Sequence, residues 1–309
     1  MVASFQNQFG TKIVMKSSKF TSQVRGEIPS KEYVDLHMHS TFSDGSLNVR
    51  SLIDFCLEQG LSAMAVTDHD NIDSFEEGRE YAREIGIEYV TGVEISSQWE
   101  GSDIHILGYL FDPTHLRLNQ TLIELRRRRV DRARQIVDRL EGKGISVNYD
   151  RVVARAQGGS VGRAHIATQL IEEEYVTTFQ EAFTKYLGND SDLMADLDTI
   201  KLSPEKAIGI ILEAGGIPVM AHPSKTNRDD LLEKLVEWGL LGIETYCHGQ
   251  TKTSYQKYQS FALKHHLICT GGADFHIKRP DGRNAPGSLK VPYKVLDMLK
   301  EAKAAHISH

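Results

Sequence analysis

Short apolar runs of strand character alternate with amphipathic helical patterns from Tyr33 onward, and this alternation limits the chain to few folds. Strands are expected at 33–37, 62–67 and 88–95, separated by helices at 48–59 and 74–85. In the first helix Val49, Leu52, Ile53, Cys56 and Leu57 recur at helical spacing, and Gly60 supplies a left-handed stop. The rhythm resumes with helix 204–214, strand 217–221, helix 229–238, strand 242–246, helix 251–265 and strand 267–271. Repeated βα units of this number predict a parallel α/β barrel, regular or distorted.

Between the two halves, 116–203 carries few strand signals and reads as a helical insertion into a barrel formed by 32–115 and 204–309. Its first helix contains Arg126, Arg127, Arg128 and Arg129, which at helical spacing spread over every side; the favoured reading is a solvated charged face with acidic neighbours, and phosphate binding by some of them is the lesser one. Residues 1–31 lack periodicity and are expected to be an extension outside the core. The chain has 309 residues with 42 acidic against 36 basic side chains, a balance that argues against broad nucleic-acid binding. No apolar run approaches the roughly 20 residues of a membrane span, and no signal peptide is evident, so a cytoplasmic protein is expected. Cys56, Cys247 and Cys269 have no paired spacing and are read as free thiols.

Chemistry concentrates where the strands end. Asp35-Leu36-His37-Met38-His39 places two imidazoles at i and i+2, on one side of an extended chain, where both can reach one cation. Later exits carry Thr67-Asp68-His69-Asp70, Gly92-Val93-Glu94 and Gly272-Ala273-Asp274-Phe275-His276. Asp103 and His105 alternate with Ile104 and Ile106, as in a strand with its polar side toward a site, and His222 closes the strand at 217–221. A lone histidine of this kind is most simply a satisfied core residue. Ligand types arriving from five separate exits argue instead for metal, and their number exceeds what one ion takes. Imidazole with carboxylate and no thiolate suits zinc, manganese or iron. Gly158-Gly159-Ser160-Val161-Gly162-Arg163-Ala164-His165 is a glycine-rich approach to a helix start that could grip phosphate, or simply a loop with a helix-starting arginine. Lys225 is a further phosphate candidate.

The segments DLHMHS, SDGS, TDHD, GVEIS, GRAHIA, AHP and GADFH resemble the PHP superfamily of polymerase and histidinol phosphatase domains, over about Val34 to His276. They look closest to the bacterial phosphoesterase branch with an inserted helical domain. The resemblance implies a distorted (βα)7 barrel holding three divalent ions, manganese, zinc or iron. It implies His37, His39, Glu94 and Asp274 around one ion, Glu94 with His105 and His222 around a second, and Asp44, His69 and His276 around the third. Asp44 stands where the histidinol phosphatase pattern has histidine, which favours nucleotide substrates.

The expected activity is therefore hydrolysis of nucleotide phosphomonoesters, with the 3'-phosphate of nucleoside 3',5'-bisphosphates as first choice. A 5'-to-3' exoribonuclease on short 5'-phosphorylated oligonucleotides is the alternative. Metal-activated water would attack phosphorus, Arg163, His165 and Lys225 would bind substrate, and Asp68, His165 or a metal would assist the leaving oxygen, although Asp68 fits equally a role orienting a ligand histidine. A non-catalytic metal-bound module and an acyl or amide hydrolase are the readings from other classes. Small phosphorylated nucleotides, with short oligonucleotides after them, are the expected partners, with no membrane and no obligate protein partner.

Overall fold

Asn48 opens helix α1 (Val49–Glu58) by accepting from the Ser51 amide, and Val49, Leu52, Ile53 and Cys56 form its buried face, as the periodicity predicts. A computed structural model describes residues 32–188, 191–194, 197, 202–279 and 281–307. The expected extension at 1–31 lies outside them, as do 189–190, 195–196 and 198–201 of the helical segment.

Strands β1 (Tyr33–Asp35), β2 (Ala63–Val66), β3 (Glu88–Trp99), β4 (Ser102–Tyr109), β5 (Ile217–Met220), β6 (Gly242–Tyr246), β7 (Ile268–Gly271) and β8 (Val291–Pro292) form one sheet of order β7-β6-β5-β4-β3-β2-β1-β8. The sheet curls back on itself: the Leu36 amide donates to the Gly271 carbonyl, and Met38 pairs in parallel with Phe275. This is the nearly closed barrel of an α/β protein, with the strand exits of β1 and β7 side by side.

The distortion lies at β4. The sequence suggested a strand there, but β4 joins β3 through a two-residue turn, Glu100-Gly101, both with positive φ, and runs antiparallel to β3 and to β5. That is the backbone of a tight hairpin. It also lengthens β3 well past the expected end at residue 95, so the hairpin stands above the rim of the barrel. The expected helix at 229–238 begins as a 3-10 turn, Asp229–Leu231, and β8 was not anticipated.

Helices α1, α2 (Phe75–Ile85), α7 (Pro204–Glu213), α8 (Pro223–Thr226), α9 (Leu232–Glu237), α10 (Lys252–Lys264) and α11 (Lys294–Ile307) are interspersed with the strands. From 116 to 188 the chain is helical: α3 (Leu116–Gly142), α4 (Tyr149–Arg155), α5 (Arg163–Glu172), α6 (Phe179–Ala182) and a π-helical turn, Phe183–Leu187. These helices bury a core of their own, including Ile136, Leu140, Val152, Ile166 and Leu170. Residues from 32 onward form one compact unit. No described helix is long and apolar enough to cross a membrane, and the three cysteines are unpaired.

Candidate metal centre

Five imidazoles surround one carboxylate. Glu94 on β3 is wholly buried, with its Oε2 at 3.2 Å from His37 Nε2, 3.2 Å from His39 Nε2 and 3.1 Å from His69 Nδ1. Its Oε1 lies 2.8 Å from His105 Nδ1 and 3.0 Å from His222 Nε2. Asp274 adds Oδ1 at 3.5 Å from His37, 3.3 Å from His39 and 3.5 Å from His276. Asp44 Oδ1 stands 3.3 Å from His276, 3.9 Å from His39 and 4.0 Å from His69. All nine residues expected as ligands therefore come together at one mouth of the barrel, with Glu94 and His105 supplied from within the β3–β4 hairpin. Three sets have donor atoms close enough together to share an ion: His39, Asp44, His69 and His276; His37, His39 and Glu94; and His69, Glu94 and His105. These sets cut across the expected grouping, since His39 falls in two of them and His69 sits with Glu94.

Backbone geometry delivers these groups. His222 and Asp274 both have positive φ, an uncommon conformation for residues other than glycine, and it turns each at its strand exit. Gly272 lets β7 approach β1: a Cβ there would lie 2.3 Å from the His37 amide. Asp35 locks the same seam, accepting from the amides of Ala273 and Gly287.

The electrostatics fit cations. Burial alone would depress His39, yet contacts with Asp274 and Glu94 push it up to about 10. His37 is likewise raised against burial by Glu244 and Glu94. Burial opposes ionisation of Glu94 and Asp44, but the surrounding imidazoles hold both well below the usual carboxylate range. Burial keeps His69 and His222 low, hence neutral and ready to donate lone pairs. His39 Nε2, His69 Nδ1 and Asp44 Oδ1 are buried and make no well-formed hydrogen bond, each having only ion-pair neighbours, the nearest at 3.1–3.3 Å. Buried imidazole and carboxylate atoms that converge on one space with lone pairs to offer fit divalent metal.

Asp68 and His165, expected as acid or base with an orienting role equally open to Asp68, both make hydrogen bonds to neighbouring loops. Asp68 accepts from the Ser40 amide and from the hydroxyls of Ser40, Ser43 and Ser74, which ties the loop that leads to Asp44 to the start of α2. His165 is absent from the cavity lining; its Nδ1 accepts from the Gly162 amide, capping α5. Both positions fit roles in holding the loops. Arg163, by contrast, lines the cavity at the first turn of α5, donating to the Leu187 carbonyl with Asp103 at 3.7 Å. Lys225 lies 2.5 Å from Asp274.

Sequence reasoning missed two residues and misplaced a third. Glu244 on β6 accepts at 3.1 Å from His37 Nδ1 and at 2.7 Å from the His222 amide; an acid inside a short buried strand was the available signal. Arg132 lines the cavity 3.3 Å from Asp103. Arg129, expected on a solvated face, is instead largely buried, with its Nε 2.5 Å from Asp70 and its Nη2 2.5 Å from the Ser96 hydroxyl. The expected acidic neighbours do exist for Arg126 and Arg128, at Asp73 and Glu124.

A family model described as PHP domain matches residues 35–202. The chain is 38% identical over 253 residues to a 5'-3' exoribonuclease of Haemophilus influenzae, covering 80% of this chain and 91% of that one. It is 32% identical over 282 residues to a 3',5'-nucleoside bisphosphate phosphatase of Chromobacterium violaceum, covering 88% and 96%. A solved structure from Bifidobacterium adolescentis described as a metal-dependent phosphoesterase superposes with a TM-score of 0.79 at 28% identity, covering 88% and 96%.

Proposed function

The chain belongs to the PHP family of metal-dependent phosphoesterases, and on that premise we propose that it removes the 3'-phosphate of nucleoside 3',5'-bisphosphates. The observation that carries the reading is Glu94 within 3.2 Å of five imidazoles, a carboxylate suited to bridge two ions. Three ions of manganese, zinc or iron fit the nine ligand residues. When bound, such ions supply Lewis acidity and bring a water's pKa from about 16 toward 7.

The chain's own residues do the rest. His37, His39, Asp44, His69, Glu94, His105, His222, Asp274 and His276 hold the charge at the barrel mouth. Glu244 fixes the tautomer of His37 by accepting a hydrogen bond from Nδ1–H, which leaves the Nε2 lone pair free to ligate. Arg163 and Lys225, at the edge of the cavity, offset the charge of the phosphoryl oxygens as it develops. Asp68 and His165 keep the loops around Asp44 and Gly162 in place. The cavity of about 320 Å³ is of the size that holds a small ligand. The helical insertion of 116–203 closes it on one side through Arg129, Arg132, Ile136 and Phe183.

A 5'-to-3' exoribonuclease on short 5'-phosphorylated strands is the second reading, favoured by the higher identity to the Haemophilus influenzae protein. Product analysis with manganese separates the two, using adenosine 3',5'-bisphosphate and a short 5'-phosphorylated RNA, wild type against His37→Ala. Phosphate release from the bisphosphate alone supports the phosphatase. Stepwise mononucleotides from the RNA support the nuclease, and no metal-dependent turnover of either overturns both.

A further inference from the structure

Beside the imidazoles and carboxylates, the cavity is lined by two unlike materials. Arg129, Arg132 and Arg163 contribute guanidinium groups, while Ile136, Ile166 and Phe183 contribute apolar surface. A bare phosphate ester needs only the first. An aromatic ring among cations is what a flat, uncharged π-system attached to a phosphate would use.

Among the described residues, Phe183 is the one aromatic ring of the lining outside the histidines. It stands at the first position of the π-helical turn Phe183–Leu187, a rare backbone form that tends to occur at functional sites. The turn is secured at both ends: the Gly188 amide donates to the Phe183 carbonyl at 2.7 Å, and Arg163 donates to the Leu187 carbonyl at 2.9 Å. The Arg163 guanidinium also lies 5.7 Å from the Phe183 ring centre, within cation–π range. Arg163 therefore fixes the ring while reaching Asp103 with its other end. The ring is only partly buried, packed on the helical core and open to the cavity.

We propose that Phe183 is the nucleobase platform of this site: the base stacks on its ring, held by Arg163, while the phosphate lies toward the imidazoles. The proposal deepens the nucleotide reading above by naming what distinguishes a nucleotide from a sugar phosphate. Preference for a base then comes from the helical segment, and the barrel contributes the hydrolytic centre.

The test compares base-bearing and base-free ligands on the metal-loaded full chain. Calorimetry with adenosine 5'-phosphate and with ribose 5-phosphate needs no turnover, and kcat/KM on adenosine 3',5'-bisphosphate against ribose 3,5-bisphosphate adds the catalytic counterpart. Wild type is expected to bind the nucleotide about tenfold more tightly than the sugar phosphate, which one base–ring stack is worth. Phe183→Ala should collapse that ratio toward one, and Phe183→Trp, which keeps a ring, should preserve it. Equal binding of the two ligands by wild type, or a ratio unchanged in Phe183→Ala, overturns the proposal. Base-dependent binding without hydrolysis of any nucleotide leaves Phe183 as the platform and removes the phosphatase reading; hydrolysis without base preference does the reverse.

Discussion

Glu94 has no room for a neutral substitute. Both its oxygens face imidazole nitrogens, so Glu94→Gln keeps the volume but presents an amide N–H₂ where a lone pair is needed. We expect kcat/KM to fall by more than about a hundredfold, beyond the usual loss from changing an outer partner of a metal ligand. Metal content measured on the purified variant should fall with it; full metal occupancy and near-normal turnover would contradict the bridging role. His39 yields a second prediction, with a sign that follows from its pKa. In the metal-free protein it titrates near 10, above the ordinary 6.5, so at neutral pH it carries a proton that ligation must expel. Its contribution to metal-free stability is complete below pH 6.5 and is lost as pH rises through about 10. Manganese should therefore bind more tightly as pH rises from 6 to 8, with roughly one to two protons released per chain once His37 is included. Calorimetric titrations in two buffers of different ionisation enthalpy measure this, and identical heats in both would rule it out.

At the scale of elements, the ligand strands are held by acids that do not themselves face metal. Glu244 on β6 grips both His37 and the turn after β5, and Glu244→Gln should weaken manganese binding by about 10- to 100-fold while the fold persists, as read by metal titration beside circular dichroism. The helical segment is anchored to the barrel by Arg129 on α3 and Asp70 after β2. Asp70→Asn leaves a buried guanidinium without its counter-charge, and breaking such a pair costs about 3–5 kcal/mol, which urea unfolding would detect. The contrast between these elements and the ligands shows what a sequence discloses. His37, His39, His69 and His276 were legible because imidazoles recur beside carboxylates at strand ends, a pattern set locally by the two-residue period. Strands β5, β6 and β7 and helix α1 were legible because their apolar spacing is local too. Arg129 was not, since four arginines in a row give no preferred face. Its partner is 59 residues away, and only docking of α3 brings them together. The antiparallel course of β4 was equally hidden, because strand alternation looks the same in either direction and only the Glu100-Gly101 turn distinguishes hairpin from crossover.

In the whole molecule, ligands from distant parts of the chain can share ions only if the barrel closes, and the closing seam between β1 and β7 is where Asp35 lies. Its carboxyl accepts from the amides of His37, Ala273 and Gly287. Burial nevertheless outweighs those donors and pushes it up to about 7. Raised above its ordinary 3.8, the group binds a proton more tightly folded than unfolded. The stability this confers is complete below about pH 4 and is lost as pH rises to about 7, by at most about 4 kcal/mol. Asp35→Asn removes the titration but keeps the size. The difference in unfolding free energy between wild type and Asp35→Asn should therefore shrink from pH 4.5 to pH 8 when both proteins are stripped of metal by chelation. Titrations of groups not coupled to Asp35 are common to the two proteins and cancel in that difference, and the one coupled imidazole, His37, is raised well above its ordinary value and stays protonated over most of that range. A difference constant with pH would mean that the three amides keep Asp35 ionised throughout, and that the seam is closed by a buried charge instead of a buried acid.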